Sequence, residues 1–198
     1  MAAHYQIGLN YMSVKPINGS LLVAPPGMVD SRFSRTSLLV THHNQTSSWA
    51  LCINRMTPHN LESLAKEINI NSNNLRFPLF WGGPVQKGSV WMLHTPEWEN
   101  EHTMYVNDQW RVTSNESMFH CLSDGDAPQW FRICYGLCQW GPGQLETELA
   151  GKPPFVKSSS WLVANDTTPE QLFNQDPNEL WEYSVKTAGR QSVDAWLA

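Results

Sequence analysis

Residues 135–146 read Tyr135-Gly136-Leu137-Cys138-Gln139-Trp140-Gly141-Pro142-Gly143-Gln144-Leu145-Glu146, and this stretch decides the fold. Its first half is the end of an apolar strand, Trp140 heads a turn, and Gln144 opens a helix. Two glycines around a proline restrict the backbone of the turn to a specific tight path. A generic hydrophobic core needs no such segment, so the conformation of this turn is specified by the sequence.

The length and composition indicate one domain. A chain of 198 residues fits a single domain. We expect residues 1–16, whose pattern is weak, to form an N-terminal arm, and residues 17–198 to form the domain. Hydrophobic residues make up 41% of the chain, which is enough for a core, and charged residues only 16%, against roughly 25% in an average soluble domain.

The charge balance argues against nucleic acid as a partner. The chain has 13 basic and 18 acidic residues and a net charge of −5. Binding to a polyanion needs clustered lysine and arginine, and the sequence has no basic run longer than a pair. DNA is therefore not an expected partner.

Neither a membrane span nor a secretory signal is expected. No segment approaches the ~20 apolar residues that cross a bilayer. The N-terminus lacks the basic region and apolar run of a signal peptide. These features predict a cytoplasmic location and no membrane contact.

The four cysteines favour buried thiols over a metal site. Cys52 and Cys134 lie inside apolar runs, where a free cysteine behaves as a small hydrophobic residue. The alternative is zinc held by His120, Cys121, Cys134 and Cys138, but their spacing matches no common zinc knuckle. We expect neither a metal nor another cofactor.

Apolar runs of strand length alternate with short turns along most of the chain. They occur at residues 20–24, 37–41, 49–53, 79–85, 89–94, 103–106, 109–113, 130–136 and 161–164. Asn107-Asp108, between two of these runs, is a two-residue hairpin signal. Because strands and helices do not alternate as βαβ units, we predict a single α+β domain with a mostly antiparallel or mixed sheet.

Capping signals predict where the helices begin and end. Thr57 as N-cap and Pro58 at the first position predict a helix with an apolar face over residues 61–68. Thr168-Pro169-Glu170-Gln171 matches a capping box. The remaining C-terminal part is helical in pattern, and Gly189 is its expected stop.

Four landmarks, taken in order, resemble the YqgE/AlgH family of bacterial proteins. They are Gly19-Ser20-Leu21-Leu22-Val23-Ala24 with Pro26-Gly27-Met28 and Asp30-Ser31-Arg32-Phe33; His43-Asn44 before Ile53-Asn54-Arg55; Gly82-Gly83-Pro84-Val85 with Leu93-His94; and Tyr135-Gly136 with Trp140-Gly141-Pro142-Gly143-Gln144-Leu145-Glu146, followed by Trp161. The resemblance covers residues 17–187 and implies coiled, bifurcated β-sheets with helices packed around them. Family members are labelled transcriptional regulators after a proposed role in alginate control. No agreed activity and no set of catalytic residues comes with the resemblance.

The chain departs from the family pattern in one hairpin. Where members resemble G-A-M-G-L-V-I-N-R-P, residues 47–56 read Ser47-Ser48-Trp49-Ala50-Leu51-Cys52-Ile53-Asn54-Arg55-Met56. Both glycines and the proline are replaced, which puts a family surface at this hairpin in doubt and makes the chain a divergent member.

Polar and glycine residues near predicted strand ends are the candidates for a binding site. They are His43, Asn54, Gly82, Gly83, His94, Trp140 and Gln144. Both histidines could act as acid or base near neutral pH if folding brought them together, although a lone histidine at a strand end is more often structural. The two glycines lack the spacing of a phosphate-binding loop and favour a tight turn where two backbones approach.

The turn at residues 140–144 has a functional and a structural interpretation. The first amides of the following helix could hold an anion. Glu146 and Glu148, expected in the first turn of that helix, already complement its dipole and would repel phosphate. The structural interpretation is therefore favoured.

Ten tryptophans are the compositional outlier. Those in strand patterns are expected in the core or half-buried. Trp98, Trp140 and Trp196 fall in loops or at the terminus and suit an exposed partner surface, or else cover hydrophobic edges.

The sequence favours a non-catalytic regulatory or binding module that contacts a protein or a small ligand. One alternative is an enzyme with a polar site around His43, Asn54 and His94. The other is a transcriptional regulator, as the family label suggests, although no helix is rich in the residues that read a DNA groove. The oligomeric state is left open.

Overall fold

A computed structural model of the chain describes residues 18–67, 69–70, 74–153 and 160–197. The predicted arm at residues 1–16 lies outside the described residues. The strands are β1 (Leu21–Val23), β2 (Ser37–His43), β3 (Ser48–Cys52), β4 (Met56–Asn60), β5 (Pro78–Trp81), β6 (Val85–His94), β7 (Thr103–Asn107), β8 (Trp110–Thr113), β9 (Phe131–Trp140) and β10 (Leu162–Ala164). The helices are α1 (Leu61–Glu67), α2 (Ser117–Ser123), α3 (Gln144–Leu149), α4 (Pro169–Phe173) and α5 (Leu180–Leu197).

The strands form one branched sheet, in the order β10-β1-β2-β3-β9-β6-β8-β7, with β5 also paired to β9 and β4 paired to β5. All pairs are antiparallel except β5 with β9, which run parallel. This confirms the predicted α+β fold with a mixed, bifurcated sheet.

Strand β9 is the branch point, and glycines make the branching possible. Its first half pairs with β5 and β6, and its last three residues pair with β3. A Cβ atom on Gly82 would lie 2.2 Å from the Gly136 carbonyl oxygen, and one on Gly83 would lie 2.1 Å from the Leu137 carbonyl carbon. Gly136 itself has φ +71°, which favours glycine. The expected close approach of two backbones at Gly82-Gly83 is therefore present.

The sheet curls so that its two ends face each other. Residues from β1, β2 and β3 share one buried cluster with residues from β7 and β8, together with α4 and α5. At the rim, the Asn107 side-chain amide at the end of β7 donates to the Asn18 carbonyl, 3.2 Å away, just before β1. A nearly closed, barrel-like core follows from this curl.

Several local predictions are confirmed, and two predicted helix boundaries are wrong. Thr168 forms a complete capping box with Gln171. β7 and β8 form the predicted hairpin, with Asp108 and Gln109 as its turn residues instead of Asn107 and Asp108. Thr57 does not cap a helix, because its hydroxyl donates to the Leu79 carbonyl within the β4–β5 pair, and Asn60 caps α1 instead. Gly189 does not end α5, which continues to Leu197.

Candidate functional site

The turn after β9 is held by a carboxylate from its own helix. One oxygen of Glu148, Oε2, accepts hydrogen bonds from the indole N–H groups of Trp140 (3.0 Å) and Trp161 (2.9 Å). The other, Oε1, accepts from the Gln144 amide at 3.0 Å, and Gln144 Oε1 accepts from the Gly141 backbone N–H at 3.1 Å. Glu148 therefore lies one turn further along α3 than expected and serves as an internal acceptor. These contacts support the structural interpretation of the turn.

His43 lies beside this turn. Its Nδ1 is 2.8 Å from the Ser48 hydroxyl, and its Nε2 is 3.8 Å from Glu146 Oε1 on α3. Ser48 pairs with Trp140 across β3 and β9. Folding thus brings together His43, Trp140 and Gln144 among the candidates.

The Asn54 side-chain amide forms hydrogen bonds with the backbone of a neighbouring loop. Its Oδ1 accepts from the Ser37 N–H at 2.8 Å and its Nδ2 donates to the Arg35 carbonyl at 2.9 Å. Both ends of the amide are used, so Asn54 fastens the start of β2 to the end of β3.

His94 is buried and fully paired. Nδ1 lies 2.9 Å from the Thr95 carbonyl, and Nε2 lies 2.9 Å from the Thr113 hydroxyl. The Trp98 ring packs edge-on at 5.1 Å. Burial lowers the pKa of His94, so the neutral imidazole is favoured.

The register of the sheet separates His94 from His43. His94 pairs with Phe131 at the start of β9, whereas the His43 partner Ser48 pairs with Trp140 at its end. The whole length of β9, Phe131–Trp140, lies between these two positions. The polar catalytic cluster that the enzyme hypothesis requires is therefore not assembled from these residues.

The cysteines are distributed through the core. Cys52, Cys134 and Cys138 are buried and Cys121 is half-buried on α2, all as free thiols. Burial raises the pKa of Cys52 to about 11 and raises those of Cys134 and Cys138 further, which makes these thiols unreactive. Among the described residues, no group of three or more histidine, cysteine or acidic side chains is placed to hold a metal.

Arg132 is a buried cation that the sequence did not single out. Its guanidinium lies between the rings of Phe80 (5.0 Å) and Phe173 (4.7 Å) and donates to the Ile53 and Leu172 carbonyls. Burial lowers its pKa to about 10. Arg132 thereby joins β9, β3 and α4, which is a structural role.

An aromatic cavity lies within the curl of the sheet. It encloses about 60 Å³ and is lined by residues of β2, β3, β6, β7, β8 and β9. Trp49 and Trp91 form part of its wall, with ring centroids 6.4 Å apart, and the His42 ring lies 5.3 Å from that of Trp49. We call this site the tryptophan cavity.

Two backbone irregularities lie on opposite walls of the tryptophan cavity. The β2–β3 register shifts by one between Val40 and His42, which makes Thr41 an extra residue, and the β7–β8 register shifts around Val106. Both Thr41 and Val106 line the cavity. Bulges of this kind redirect side chains and occur often beside functional sites.

The two cavity tryptophans carry unused hydrogen-bond donors. Trp49 Nε1 and Trp91 Nε1 are both buried, and neither has an acceptor within the described part of the chain. Trp110 Nε1 shares this condition, and Trp110 belongs to the core cluster against which Trp49 and Trp91 pack. Because both Nε1 atoms are fully buried, they do not face the accessible space of the cavity, and the ring carbons form its wall.

The exposed apolar residues are not the ones that the sequence predicted. Trp98 and Trp140 are only 7% and 4% exposed, so the expected patch at these residues is wrong, and the Trp196 side chain lies outside the described residues. Met104 and Tyr105, on the terminal strand β7 at the cavity mouth, are instead 41% and 62% exposed. The tryptophans in strand patterns are buried or half-buried as predicted.

Within the described residues, no helix combines the length and apolar character needed to span a bilayer.

Comparison with known proteins identifies the family. A UPF0301 protein of Ruegeria pomeroyi is 29% identical over 185 residues, which cover 91% of this chain and 95% of that protein. A UPF0301 protein of Nitrosospira multiformis is 32% identical, covering 85% and 88%. The solution structure of the AlgH protein from Pseudomonas aeruginosa shares the fold with a TM-score of 0.72 at 24% identity, covering 87% and 88% of the two chains. Since the sequence model of the AlgH-like family matches residues 21–193, this chain belongs to the AlgH-like family.

Proposed function

We propose that this protein is a non-catalytic binding module that holds a small ligand in the tryptophan cavity. The observation that carries the proposal is a cavity with the Trp49 and Trp91 rings in its wall and with the bulges at Thr41 and Val106 in its lining. Aromatic side chains offer a ligand a large apolar contact area.

The position of the cavity supports the proposal. Small-molecule sites are typically concave, mostly apolar and found at the mouths of curled or closed sheets. Here the walls are strands held by ladder hydrogen bonds, and the bulges at Thr41 and Val106 open the space between them. The site is therefore preformed and pays little ordering entropy when it binds.

The enzyme and DNA alternatives receive less support. His94 pairs with the first residue of β9, whereas His43 pairs with Ser48, whose own partner is the last residue of β9. His94 is also enclosed, and its burial lowers its pKa. The net charge of −5 weighs against binding to DNA. A regulatory role would therefore depend on the bound ligand and not on direct contact with DNA. Free cysteines suit a reducing compartment, and a cytoplasmic location is part of the proposal.

A protein contact at the cavity mouth is the second candidate. Met104 and Tyr105 are exposed neighbours on β7, the last strand of the sheet. An edge strand with apolar side chains can pair with an extended segment of another protein.

A thermal-shift series on matched variants tests the small-ligand proposal. Thr41→Phe places a phenyl ring in the cavity, and Val29→Phe adds the same ring at a residue that is 79% exposed and does not line it. A panel of metabolites is screened against the wild type, and binding at a hundredfold excess over Kd stabilises by about 2.7 kcal/mol. We expect shifts in the wild type and Val29→Phe that are absent in Thr41→Phe. Equal shifts in melting temperature in all three proteins would mean that the ligand binds outside the tryptophan cavity, which would contradict the proposal.

A further inference from the structure

We propose that the tryptophan cavity takes up the end of a slim, unbranched alkyl chain, so that its ligands are amphiphiles whose polar head group stays in solvent. This inference rests on the proposed function and adds the chemical class of the ligand.

The inner lining of the tryptophan cavity is aliphatic. Four lining residues are only 2% exposed, and their side chains all end in methyl groups: Leu51, Val106, Val112 and Leu137. The rings of Trp49 and Trp91 complete the wall, and their fully buried Nε1 atoms do not face the accessible space. The inner side chains therefore present carbon surface, which favours an apolar group over a polar one.

The polar residues of the lining are more exposed than the aliphatic ones, and each already has a hydrogen-bond partner. The Thr41 hydroxyl donates to a backbone carbonyl at 3.4 Å, and the Tyr105 hydroxyl donates to Asp108 at 2.9 Å. His42 Nε2 lies 3.0 Å from the Asn44 amide nitrogen. Among the described lining residues, none is aspartate, glutamate, lysine or arginine. A charged head group would gain no ionic partner inside the cavity, so it stays in water.

The size of the cavity favours a chain over a ring. Its volume of about 60 Å³ is well below the ~150 Å³ of a cavity that takes up benzene, so by proportion it holds about two or three carbon atoms. The end of an unbranched chain fits this space, whereas a six-membered ring or a tert-butyl group exceeds it. The next carbons of the chain then lie on Met104 and Tyr105, which are 41% and 62% exposed at the mouth.

Five compounds separate the shape of the apolar end from the charge of the head group. 1-Hexanol has an unbranched chain, 3,3-dimethyl-1-butanol ends in a tert-butyl group, and cyclohexylmethanol ends in a ring. Hexanoate and hexylammonium keep the unbranched chain and change the head group. Each compound is titrated into the full chain labelled with ¹³C in the leucine and valine methyl groups. Leu22, which is fully buried in a separate core cluster, supplies the reference resonances.

We expect 1-hexanol to bind at least about fourfold more tightly than the branched and cyclic alcohols, which is the factor for one CH₂ left unburied. Its terminal methyl group should give nuclear Overhauser contacts to Val112 and Leu137 and leave Leu22 unshifted. The Arg111 guanidinium beside the Tyr105 ring is already paired with Glu99. Hexanoate and hexylammonium should therefore bind within about threefold of 1-hexanol.

A matched pair of variants tests whether the inner lining sets the preference. Val112→Ala removes two methyl groups from the cavity lining, so the preference for 1-hexanol over the branched alcohol should fall several-fold. Val163→Ala makes the same change at a buried residue of the separate core cluster and should keep the preference. The contacts to the methyl groups are measured in the wild type, so that result does not depend on the stability of either variant.

The outcomes distinguish this inference from the proposed function. If the branched or cyclic alcohol binds as tightly as 1-hexanol and shifts the same methyl resonances, the slim-chain class is wrong and small-ligand binding stands. Binding of either ion more than about tenfold tighter than 1-hexanol would show that the head group is recognised, and would overturn its place in solvent. If no compound shifts these methyl groups while the metabolite panel still separates wild type from Thr41→Phe, the alkyl class alone is wrong. If both experiments are silent, the proposed site is wrong as well.

Discussion

Replacing Glu148 with alanine tests why the turn after β9 has its particular sequence. The substitution removes the single oxygen that accepts from Trp140 and Trp161, whose rings are 4% and 6% exposed. Each buried donor left unpaired costs about 1–3 kcal/mol. Because Glu148 is half-buried and water can reach part of the space, we expect a loss toward the lower end, about 2–4 kcal/mol for the two donors together.

Two companion variants sharpen the test. Glu148→Gln keeps an amide oxygen where both indoles donate and loses only the charge, so we expect about 1 kcal/mol or less. Glu146→Ala makes the same change in the same helix, but the Glu146 side chain is 49% exposed and lies 3.8 Å from His43 Nε2. We expect its effect to stay within about 0.5 kcal/mol.

Urea unfolding followed by far-UV circular dichroism measures these differences as shifts in midpoint at constant slope. Circular dichroism is preferred to fluorescence because the substitutions alter the surroundings of two tryptophans directly. If Glu148→Ala and Glu146→Ala unfold at the same urea concentration, the paired indoles are not what fixes the turn.

Three further predictions concern the glycines and the buried histidine. Gly83→Ala should destabilise by about 3 kcal/mol or more, since its Cβ would meet the Leu137 carbonyl carbon at 2.1 Å, while Gly88→Ala, with nothing within 4 Å, should be nearly neutral in urea unfolding. Gly189→Ala on the exposed face of α5 should stabilise by about 0.5–1 kcal/mol and raise the melting temperature. His94 has a pKa below its usual 6.5, so the unfolded chain binds its proton first and stability should fall as pH drops below 6.5, less so in His94→Gln.

For each of these three predictions, one experimental result would contradict it. Equal stability of the Gly83 and Gly88 variants would mean that the branch at β9 tolerates a side chain. A lower melting temperature for Gly189→Ala would mean that α5 needs glycine there. Unfolding midpoints of wild type and His94→Gln that fall in parallel between pH 7 and pH 5 would remove His94 as the source of the acid sensitivity.

The features that could be predicted from the sequence are those set by local chemistry. The apolar strand runs and the capping box at Thr168 depend on neighbouring residues alone. The close approach at Gly82-Gly83 was indicated by the two glycines, but its partners, Gly136 and Leu137, are distant in sequence. Where long-range contacts compete, the local rules fail. Thr57 and Pro58 signal a helix start, but pairing with β5 draws them into a strand instead. Packing of α5 against β1 and β10 likewise outweighs the roughly 1 kcal/mol that Gly189 costs a helix.

The tryptophan cavity could not be predicted because it depends on strand order and register. Trp49 on β3 and Trp91 on β6 are separated in the sheet by β9, and their contact needs the curl of all three strands. The bulges at Thr41 and Val106 have no signature in the sequence. Trp140 illustrates the converse, since its position in a turn suggested exposure, while Glu148 reaches back to pair with its indole.

Native mass spectrometry after incubation with a small-molecule extract of bacterial cells tests whether the tryptophan cavity holds a ligand. Wild type, Thr41→Phe and Val29→Phe are each passed through gel filtration and sprayed under non-denaturing conditions. We expect a retained small-molecule mass on the wild type and on Val29→Phe that is missing from Thr41→Phe. The same retained mass on all three proteins, or none on any of them, would contradict a ligand site between Trp49 and Trp91.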